Sequence, residues 1–106
     1  MSTEGARVAV RDNPDEDRYE LLVGDSVVGE IQYQHRRSSD RIAFIHTELS
    51  PELEGHGLGG RLVAGALDDV RAHRLQVVPI CPFVCTYLRR HPEYEDLIVP
   101  DRRLPD

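Results

Sequence analysis

Four glycines within six residues form the strongest chemical signal in the chain. They lie in a segment that reads Glu-Gly-His-Gly-Leu-Gly-Gly, from Glu54 to Gly60, just before an amphipathic stretch. Glycine lets the backbone turn sharply and approach a ligand closely, and the N–H groups at the start of a helix attract anions. The segment therefore predicts a loop that binds phosphate through its backbone. The alternative is a tight turn between a strand and a helix, with no ligand.

Two kinds of phosphate-binding loop have glycines at this spacing. Gly55, Gly57 and Gly60 satisfy the dinucleotide pattern G-x-G-x-x-G, which is a weak signal by itself. The dinucleotide fold begins with a β-α-β unit and places an acidic residue at the end of the next strand. Here four strands are predicted before the loop, and the next strand ends at Ile80-Cys81 without an acid. This context argues against a dinucleotide-binding fold.

Cys81 is the candidate nucleophile. It follows a short apolar strand and precedes a helix predicted to begin at Pro82, where helix N–H groups would favour the thiolate. A small buried residue that only packs is the alternative, and Cys85, one turn later, is predicted to pack. Both cysteines are expected to be free thiols. Cys81 with His46 would also suit a thiol hydrolase. The spacing of the cysteines and His91 matches no zinc pattern, so no metal site is predicted.

His46 and Glu48 are candidate proton acceptors on the strand before the loop. They lie one pleat apart in the predicted strand 41–49 and therefore point the same way. Strict alternation places them on the face that also carries Ile42 and Phe44. Either could relay a proton from an incoming amine, and a structural role for the histidine is the alternative.

Hydrophobic periodicity predicts the elements that position these residues. Four alternating strands are expected at residues 7–11, 18–23, 27–35 and 41–49, then an amphipathic helix at 58–70, a short apolar strand at 76–80 and a second helix at 82–90. Successive hairpins imply an antiparallel meander, and the last strand is expected to be parallel to the fourth. The predicted fold class is α+β, with a single domain over residues 1–106 and a core at about 7–99.

Composition narrows the classes of partner. The 106 residues include 19 acidic and 13 basic residues, a net charge of −6, and every basic residue is arginine. The lack of lysine excludes a phosphate-loop lysine and a lysine Schiff base. An acidic surface disfavours nucleic acid and anionic membranes. The sequence shows no secretory signal and no membrane span, so a cytoplasmic location is predicted.

Several motifs together resemble the GNAT N-acetyltransferase superfamily. The glycine segment is similar to the coenzyme A loop of pattern Q/R-x-x-G-x-G/A, with Gly57 and Gly59 at the small positions and Glu54 where Gln or Arg is usual. A nest of backbone N–H groups binds phosphate without any side chain, so Glu54 does not argue against a phosphate-binding loop. The Cys-Pro-Phe segment at Cys81 and the His-Pro-Glu-Tyr segment at His91 resemble a subfamily of very small GNAT-like proteins, of about 100 residues, whose substrates are unassigned.

The resemblance implies an acetyl-CoA-dependent N-acetyltransferase that acts on a primary amine. It implies that acetyl-CoA, as co-substrate, lies between the diverging strands 41–49 and 76–80. Residues expected to hold it are Leu49, Gly55, His56, Gly57, Leu58, Gly59 and Gly60. Tyr87 lies near where many members place a tyrosine that protonates the coenzyme thiolate, and a half-buried packing aromatic is the alternative. The candidate catalytic residues are Cys81, Tyr87, His46 and Glu48.

Two further expectations accompany the resemblance. The chain lacks the N-terminal helices and last strands that build an acceptor pocket in larger members. A module that binds acetyl-CoA and transfers nothing is therefore the alternative function. The arginine pairs Arg36-Arg37 and Arg89-Arg90 are most simply solvated, although either could reach the coenzyme's phosphates.

Overall fold

A five-stranded sheet carries two helices, in the order that the sequence predicts. The computed structural model describes residues 7–36, 38–53, 55 and 57–100. The elements are β1 (Val8–Asn13), β2 (Arg18–Val23), β3 (Ser26–His35), β4 (Arg41–Leu49), α1 (Leu58–Ala72), β5 (Gln76–Pro79) and α2 (Pro82–Arg90). The strands lie in the order β1-β2-β3-β4-β5, antiparallel except that β5 pairs in parallel with β4. The predicted α+β fold class and its meander are confirmed.

Both helices pack on one face of the sheet. Helix α1 contributes a stripe at helical spacing, and the strands contribute alternating positions that meet it; the largest buried members are Leu21, Ile31, Phe44, Leu62, Val63, Leu67 and Val84. Burying each such side chain contributes about 1.5–3 kcal/mol, so this layer dominates stability. The opposite face, here called the open face, is covered by no helix of the described residues. Within the same residues, no helix is long and apolar enough to cross a membrane.

A β-bulge at Ile45 divides β4 into two halves. Gln32 of β3 pairs with His46, whereas the next residue, Tyr33, pairs with Phe44, which leaves Ile45 as an extra residue in β4. One extra residue shifts the alternation of side chains by one position. The side chains beyond the bulge therefore point to the face opposite to the one that alternation from the first half predicts.

The bulge corrects the predicted orientation of His46 and Glu48. The prediction that they share a face with Phe44 is wrong, because Phe44 is buried under the helices while both polar side chains lie on the open face. The His46 side chain is 54% exposed and that of Glu48 is 64% exposed. A second bulge, between β2 and β3, likewise leaves Val27 exposed.

Strands β4 and β5 separate after four paired residues, 41–44 with 76–79. The N–H groups of Ile80 and Cys81 both donate to the carbonyl of Phe44, at 3.0 and 2.9 Å, and the parallel pairing ends there. Beyond this point β4 continues to Leu49, while the chain on the other side turns into α2. The two strands thus leave an opening between them, as the family resemblance implies.

The segment after α2 closes the far side of β5. Ile98 forms a parallel bridge with Val77, and Arg71 of α1 holds Asp96 through two hydrogen bonds of 2.7 and 3.1 Å. The chain after α2 packs as a short 3₁₀ helix, Pro92–Leu97, followed by this bridge. It fixes the end of α2 relative to α1.

Candidate functional site

A cavity of about 350 Å³ lies beside the second half of β4; we call it the β4 cavity. Its walls come from β4, from the loop before α1 and from α2, and its lining residues are Thr47, Leu49, Gly55, Gly57, Gly59, Gly60 and Phe83. Leu49 and all four glycines predicted to hold a coenzyme are among them. Leu58 instead packs against the core, and His56, like Glu54, lies outside the described residues.

The N-terminus of α1 presents an uncapped helix end to this cavity. Gly57 is the N-cap residue, with φ 75° and ψ 2°, and no described side chain caps the helix. A Cβ atom at Gly57 would meet nothing within 4 Å, so the space in front of the loop is open. The first turn of α1 carries no acidic residue. Free N–H groups at a helix N-terminus, with this dipole, fit a phosphate group.

Gly59 has a different role, since it allows the close approach of Phe83. A Cβ atom at Gly59 would lie 2.6 Å from Cζ of the Phe83 ring, which packs directly on the loop. The ring is 45% exposed and lines both the β4 cavity and the larger groove beside it. Phe83 is a site residue that the sequence analysis did not identify, although it lies within the Cys-Pro-Phe motif.

A groove of about 720 Å³ runs between α1 and α2; we call it the interhelical groove. It is lined by Gly57, Gly60, Arg61, Ala64, Pro82, Phe83, Thr86, Tyr87, Arg90 and His91. Gly57, Gly60 and Phe83 line the β4 cavity as well. The two spaces therefore meet at the glycine loop and form one cleft, with the Phe83 ring at their junction.

Tyr87 lies in the interhelical groove and not in the β4 cavity. Its ring stacks on that of His91 at 3.8 Å between centroids, and Nδ1 of His91 lies 2.8 Å from the Tyr87 carbonyl, to which it donates when protonated. Burial, followed by the charges of Glu93 and Asp68, raises the pKa of Tyr87. The phenol is therefore protonated at neutral pH and is able to donate a proton.

Cys81 lies at the N-cap of α2, where the sequence places it. It is 3% exposed, its Sγ lies 3.2 Å from Oγ1 of Thr47, and it lines neither the β4 cavity nor the interhelical groove. Thr47 was not identified from the sequence. It meets Cys81 because the bulge turns it toward the helices. Cys85 is a half-buried thiol near the Pro79 carbonyl, and burial raises its pKa.

His46 and Glu48 form a hydrogen-bonded pair on the open face, 3.0 Å from Nε2 to Oε1. The four candidate catalytic residues thus occupy three places. Cys81 lies at the opening between β4 and β5, the His46–Glu48 pair lies on the other side of β4, and Tyr87 lies between the helices. A reaction at the opening could be approached from both faces of the sheet. No group of side chains in the described part of the chain could hold a metal ion.

The open face carries a row of charges that cross the strands. Glu20, only 1% exposed, pairs across the sheet with Arg11 on one side and Glu30 on the other. Burial opposes its ionisation, but hydrogen bonds from Arg11, Asn13 and Arg18 outweigh burial and lower the pKa of Glu20 to about 2. The negative charge of Glu20 is thus balanced by Arg11 and Arg18, whereas the side chain of Glu48 remains accessible beside His46.

Comparisons with known proteins agree with this architecture. The family model for GCN5-related N-acetyl-transferases matches residues 18–97. No protein of curated function matches the chain. The solution structure of a "GCN5-like putative N-acetyltransferase" from Staphylococcus aureus is similar, with a TM-score of 0.66 and 24% sequence identity over 93% of this chain and 91% of that chain. That likeness concerns the fold, whereas the family match covers most of the sequence. The chain therefore belongs to the GCN5-related N-acetyltransferase family of acyltransferases.

Proposed function

We propose that the protein transfers the acetyl group of acetyl-CoA to a primary amine. The uncapped α1 N-terminus at Gly57 carries this proposal, because it opens into a cleft that reaches the opening between β4 and β5. The coenzyme's phosphates would bind the loop at residues 55–60 through backbone N–H groups. Its thioester arm would extend along β4, past Leu49, toward Thr47.

Direct transfer is the route we propose. The amine nitrogen attacks the thioester carbonyl carbon, a C–N bond forms and the C–S bond to the coenzyme breaks. The proton lost by the amine would pass to the His46–Glu48 pair, which lies on the open face from which an amine can approach. The coenzyme thiolate would take its proton from Tyr87, whose raised pKa keeps the phenol protonated, and it would meet the phenol where the β4 cavity joins the interhelical groove.

A two-step route through Cys81 is the alternative. The thiol would attack the thioester, so that the acetyl group moves from the coenzyme sulfur to Cys81 and the coenzyme leaves as a free thiol. An amine would then take the acetyl group, and Cys81 would recover its proton. The position at the α2 N-cap favours this route, since a helix N-terminus stabilises a thiolate. The 3% exposure of Cys81 favours direct transfer.

A second function, binding of acetyl-CoA without transfer, is favoured by one observation. Among the described residues no element covers the open face, so no enclosed acceptor pocket faces the opening between β4 and β5. A coenzyme-binding module would need only the cleft on the helical face. Assays of binding and of transfer, made on the same preparation, separate the two functions.

Binding is tested by titration calorimetry on Gly57→Val, matched with Gly24→Val. Both glycines have a left-handed backbone, φ 75° and 61°, and open space around a Cβ atom, so valine strains both backbones similarly. Gly24 lies in the turn between β2 and β3, away from the cleft. Gly57→Val should weaken acetyl-CoA binding at least tenfold, about 1.4 kcal/mol, and Gly24→Val should not. Equal affinity in both folded variants would refute the phosphate loop.

Transfer is tested by mass spectrometry after incubation with acetyl-CoA and a panel of primary amines. The enzyme hypothesis expects acetylated amine in amounts that grow with protein concentration, and clearly less product with Gly57→Val when acetyl-CoA is below saturation. Tight binding of acetyl-CoA with no product across amines and lysine-containing peptides would favour the binding module.

A further inference from the structure

A smaller cavity, of about 260 Å³, lies at the beginning of β3 and the end of β4; we call it the acidic cavity. Its described lining is Val27, Val28, Gly29, Glu30, Glu48, Leu49, Ser50 and Pro51, in which the two glutamates are the only charged side chains. Leu49 lines the β4 cavity as well. The acidic cavity therefore borders the path that we propose for the thioester arm.

The two glutamates face each other across paired strands. Glu30 of β3 lies opposite Glu48 of β4, and side chains at opposed positions of antiparallel strands lie on the same face. Like charges at such positions destabilise a sheet. The stability of the fold does not account for this pair, because a neutral residue at either position would remove the repulsion. A cation bound beside both carboxylates would remove it as well.

Neighbouring side chains orient Glu30 without fully balancing its charge. The Arg18 guanidinium places two nitrogens 2.8 Å from Glu20 and reaches Glu30 only at 3.5 Å. The amide of Gln32 donates to Oε2 of Glu30 at 3.1 Å, and an amide carries no charge. The carboxylate of Glu30 is thus held in position, while the nearest cation is directed mainly to Glu20.

The remaining walls of the acidic cavity suit a methylene chain. Val27, Val28, Leu49 and Pro51 are apolar, and the Val27 side chain is exposed to solvent. An alkylammonium group would place its carbons against these residues and donate its N–H groups to the carboxylates. The cavity is smaller than the range of about 300–1,000 Å³ that is typical of pockets for whole ligands. It therefore fits one arm of a ligand whose other end lies elsewhere.

We propose that Glu30 determines which amines the protein acetylates: preferred acceptors carry a second, cationic amine that binds in the acidic cavity. This inference rests on the proposed function, since the first amine must reach the opening beside His46. His46 and Glu48 are two residues apart in β4, or about 7 Å along the strand, a span that suits a chain of about four or five methylene groups. The preferred substrate class is therefore aliphatic diamines.

The reaction itself keeps the course proposed above. The near nitrogen of the diamine forms the C–N bond, the C–S bond to the coenzyme breaks, and the proton of that nitrogen passes to the His46–Glu48 pair. The coenzyme thiolate receives its proton from Tyr87. The far nitrogen stays protonated throughout, and Glu30 takes no proton. The effect of Glu30 therefore falls on KM for the diamine and not on kcat.

The test compares two acceptors, diaminopentane with an amine at each end and pentylamine, for the parent chain, Glu30→Gln and Glu52→Gln. Glu52 is the matched control, because it is an exposed glutamate next to Pro51 that does not line the acidic cavity. Product is measured by mass spectrometry at saturating acetyl-CoA and neutral pH, where the far amine is protonated. Thermal unfolding shows that each variant is folded.

For the parent, KM should be about tenfold lower for diaminopentane than for pentylamine, because a hydrogen bond to a charged group contributes about 1.5–3 kcal/mol. This exceeds the roughly twofold gain that two equivalent ends supply. Glu30→Gln should raise KM for diaminopentane nearly to the value for pentylamine, and the kinetics with pentylamine should not change. Glu52→Gln should behave as the parent does with both amines.

Equal KM values for the two amines with the parent would refute the inference and leave the proposed function intact. A similar loss with both amines in Glu30→Gln would assign Glu30 a structural role, which also contradicts the inference. An equal effect of Glu52→Gln would attribute the preference to general electrostatics instead of the acidic cavity. Failure of the folded parent to acetylate either amine would refute the proposed transfer together with this inference.

Discussion

The thiol of Cys81 and the hydroxyl of Thr47 meet where β4 and β5 separate, 3.2 Å apart. Because Cys81 is nearly inaccessible and lines neither space of the cleft, we expect direct transfer to dominate. Cys81→Ser, which preserves a hydrogen-bonding group near Thr47, should keep acetyl transfer to an amine within about threefold of the parent. Mass spectrometry of the parent with acetyl-CoA alone should find no acetyl adduct.

Cys85→Ser is the control for that experiment, since Cys85 lies one helical turn away and its thiol is less nucleophilic because burial raises its pKa. An acetyl group located on Cys81 and lost in Cys81→Ser, with slow transfer in that variant, would contradict direct transfer. The same adduct in the Cys85→Ser variant would place the covalent intermediate at Cys81. Acetyl groups on both cysteines would indicate unspecific chemistry.

Much of the candidate site could be predicted from single residues, because a run of glycines occurs in few structural settings. A run of glycines before an amphipathic helix indicates the loop, and Leu49 with Gly55, Gly57, Gly59 and Gly60 line the β4 cavity. Thr47 and Phe83 could not be found in this way. Threonine in a strand and phenylalanine in a helix are ordinary core residues, and their place in the cleft depends on the bulge and on the approach of α2.

Helix α1 approaches β1 closely at Gly65. A Cβ atom at this position would lie 2.7 Å from Cβ of Val10. Because Cβ is bonded directly to the backbone, it cannot move aside by a change of rotamer. Gly65→Ala should therefore lower the melting temperature, since overpacking costs about 1–3 kcal/mol while alanine improves helix propensity by at most about 1 kcal/mol. Thermal unfolding followed by circular dichroism measures the difference.

Gly60→Ala is the matched control within the same helix, because a Cβ atom there would make an ordinary contact of 3.5 Å with the Tyr87 ring. It should keep or slightly raise the melting temperature. In a Val10→Gly background, which removes the Cβ atom and both Cγ atoms of that contact, Gly65→Ala should become neutral or stabilising. Equal destabilisation by Gly65→Ala in both backgrounds would show that helix–strand packing is not the cause.

At the scale of elements, the sequence indicates helices and strands well and bulges poorly. Helix α2 is predicted at 82–90 and observed at Pro82–Arg90, because proline at the first position and His91-Pro92 at the end mark its limits. A bulge has no comparable signal. It arises from how two strands pair, and the residue types around Ile45 do not indicate it. The faces of His46 and Glu48 were therefore predicted wrongly while the strand itself was correct.

The whole molecule separates its two surfaces by charge and by shape. The helical face holds a cleft whose described lining includes Arg61 and Arg90 and no acidic residue, and the open face is a sheet surface whose exposed groups include Glu48 and His46. An anionic coenzyme and a cationic amine would thus approach from opposite sides. Net charge alone, −6, predicts only repulsion of anions. The positive charge of the groove could not be predicted from the sequence, because it depends on how α1 and α2 bring Arg61 and Arg90 together.

The ring of Phe83, at the junction of the two spaces of the cleft, offers an optical reporter. The chain contains no tryptophan, so Phe83→Trp would carry the only indole of the protein. Acetyl-CoA filling the cleft would change the surroundings of that indole, and its emission should shift and titrate with the affinity measured by calorimetry. Ile80→Trp, exposed and outside both spaces, should respond little. Constant emission from Phe83→Trp while calorimetry detects binding would mean that the coenzyme does not pass this ring.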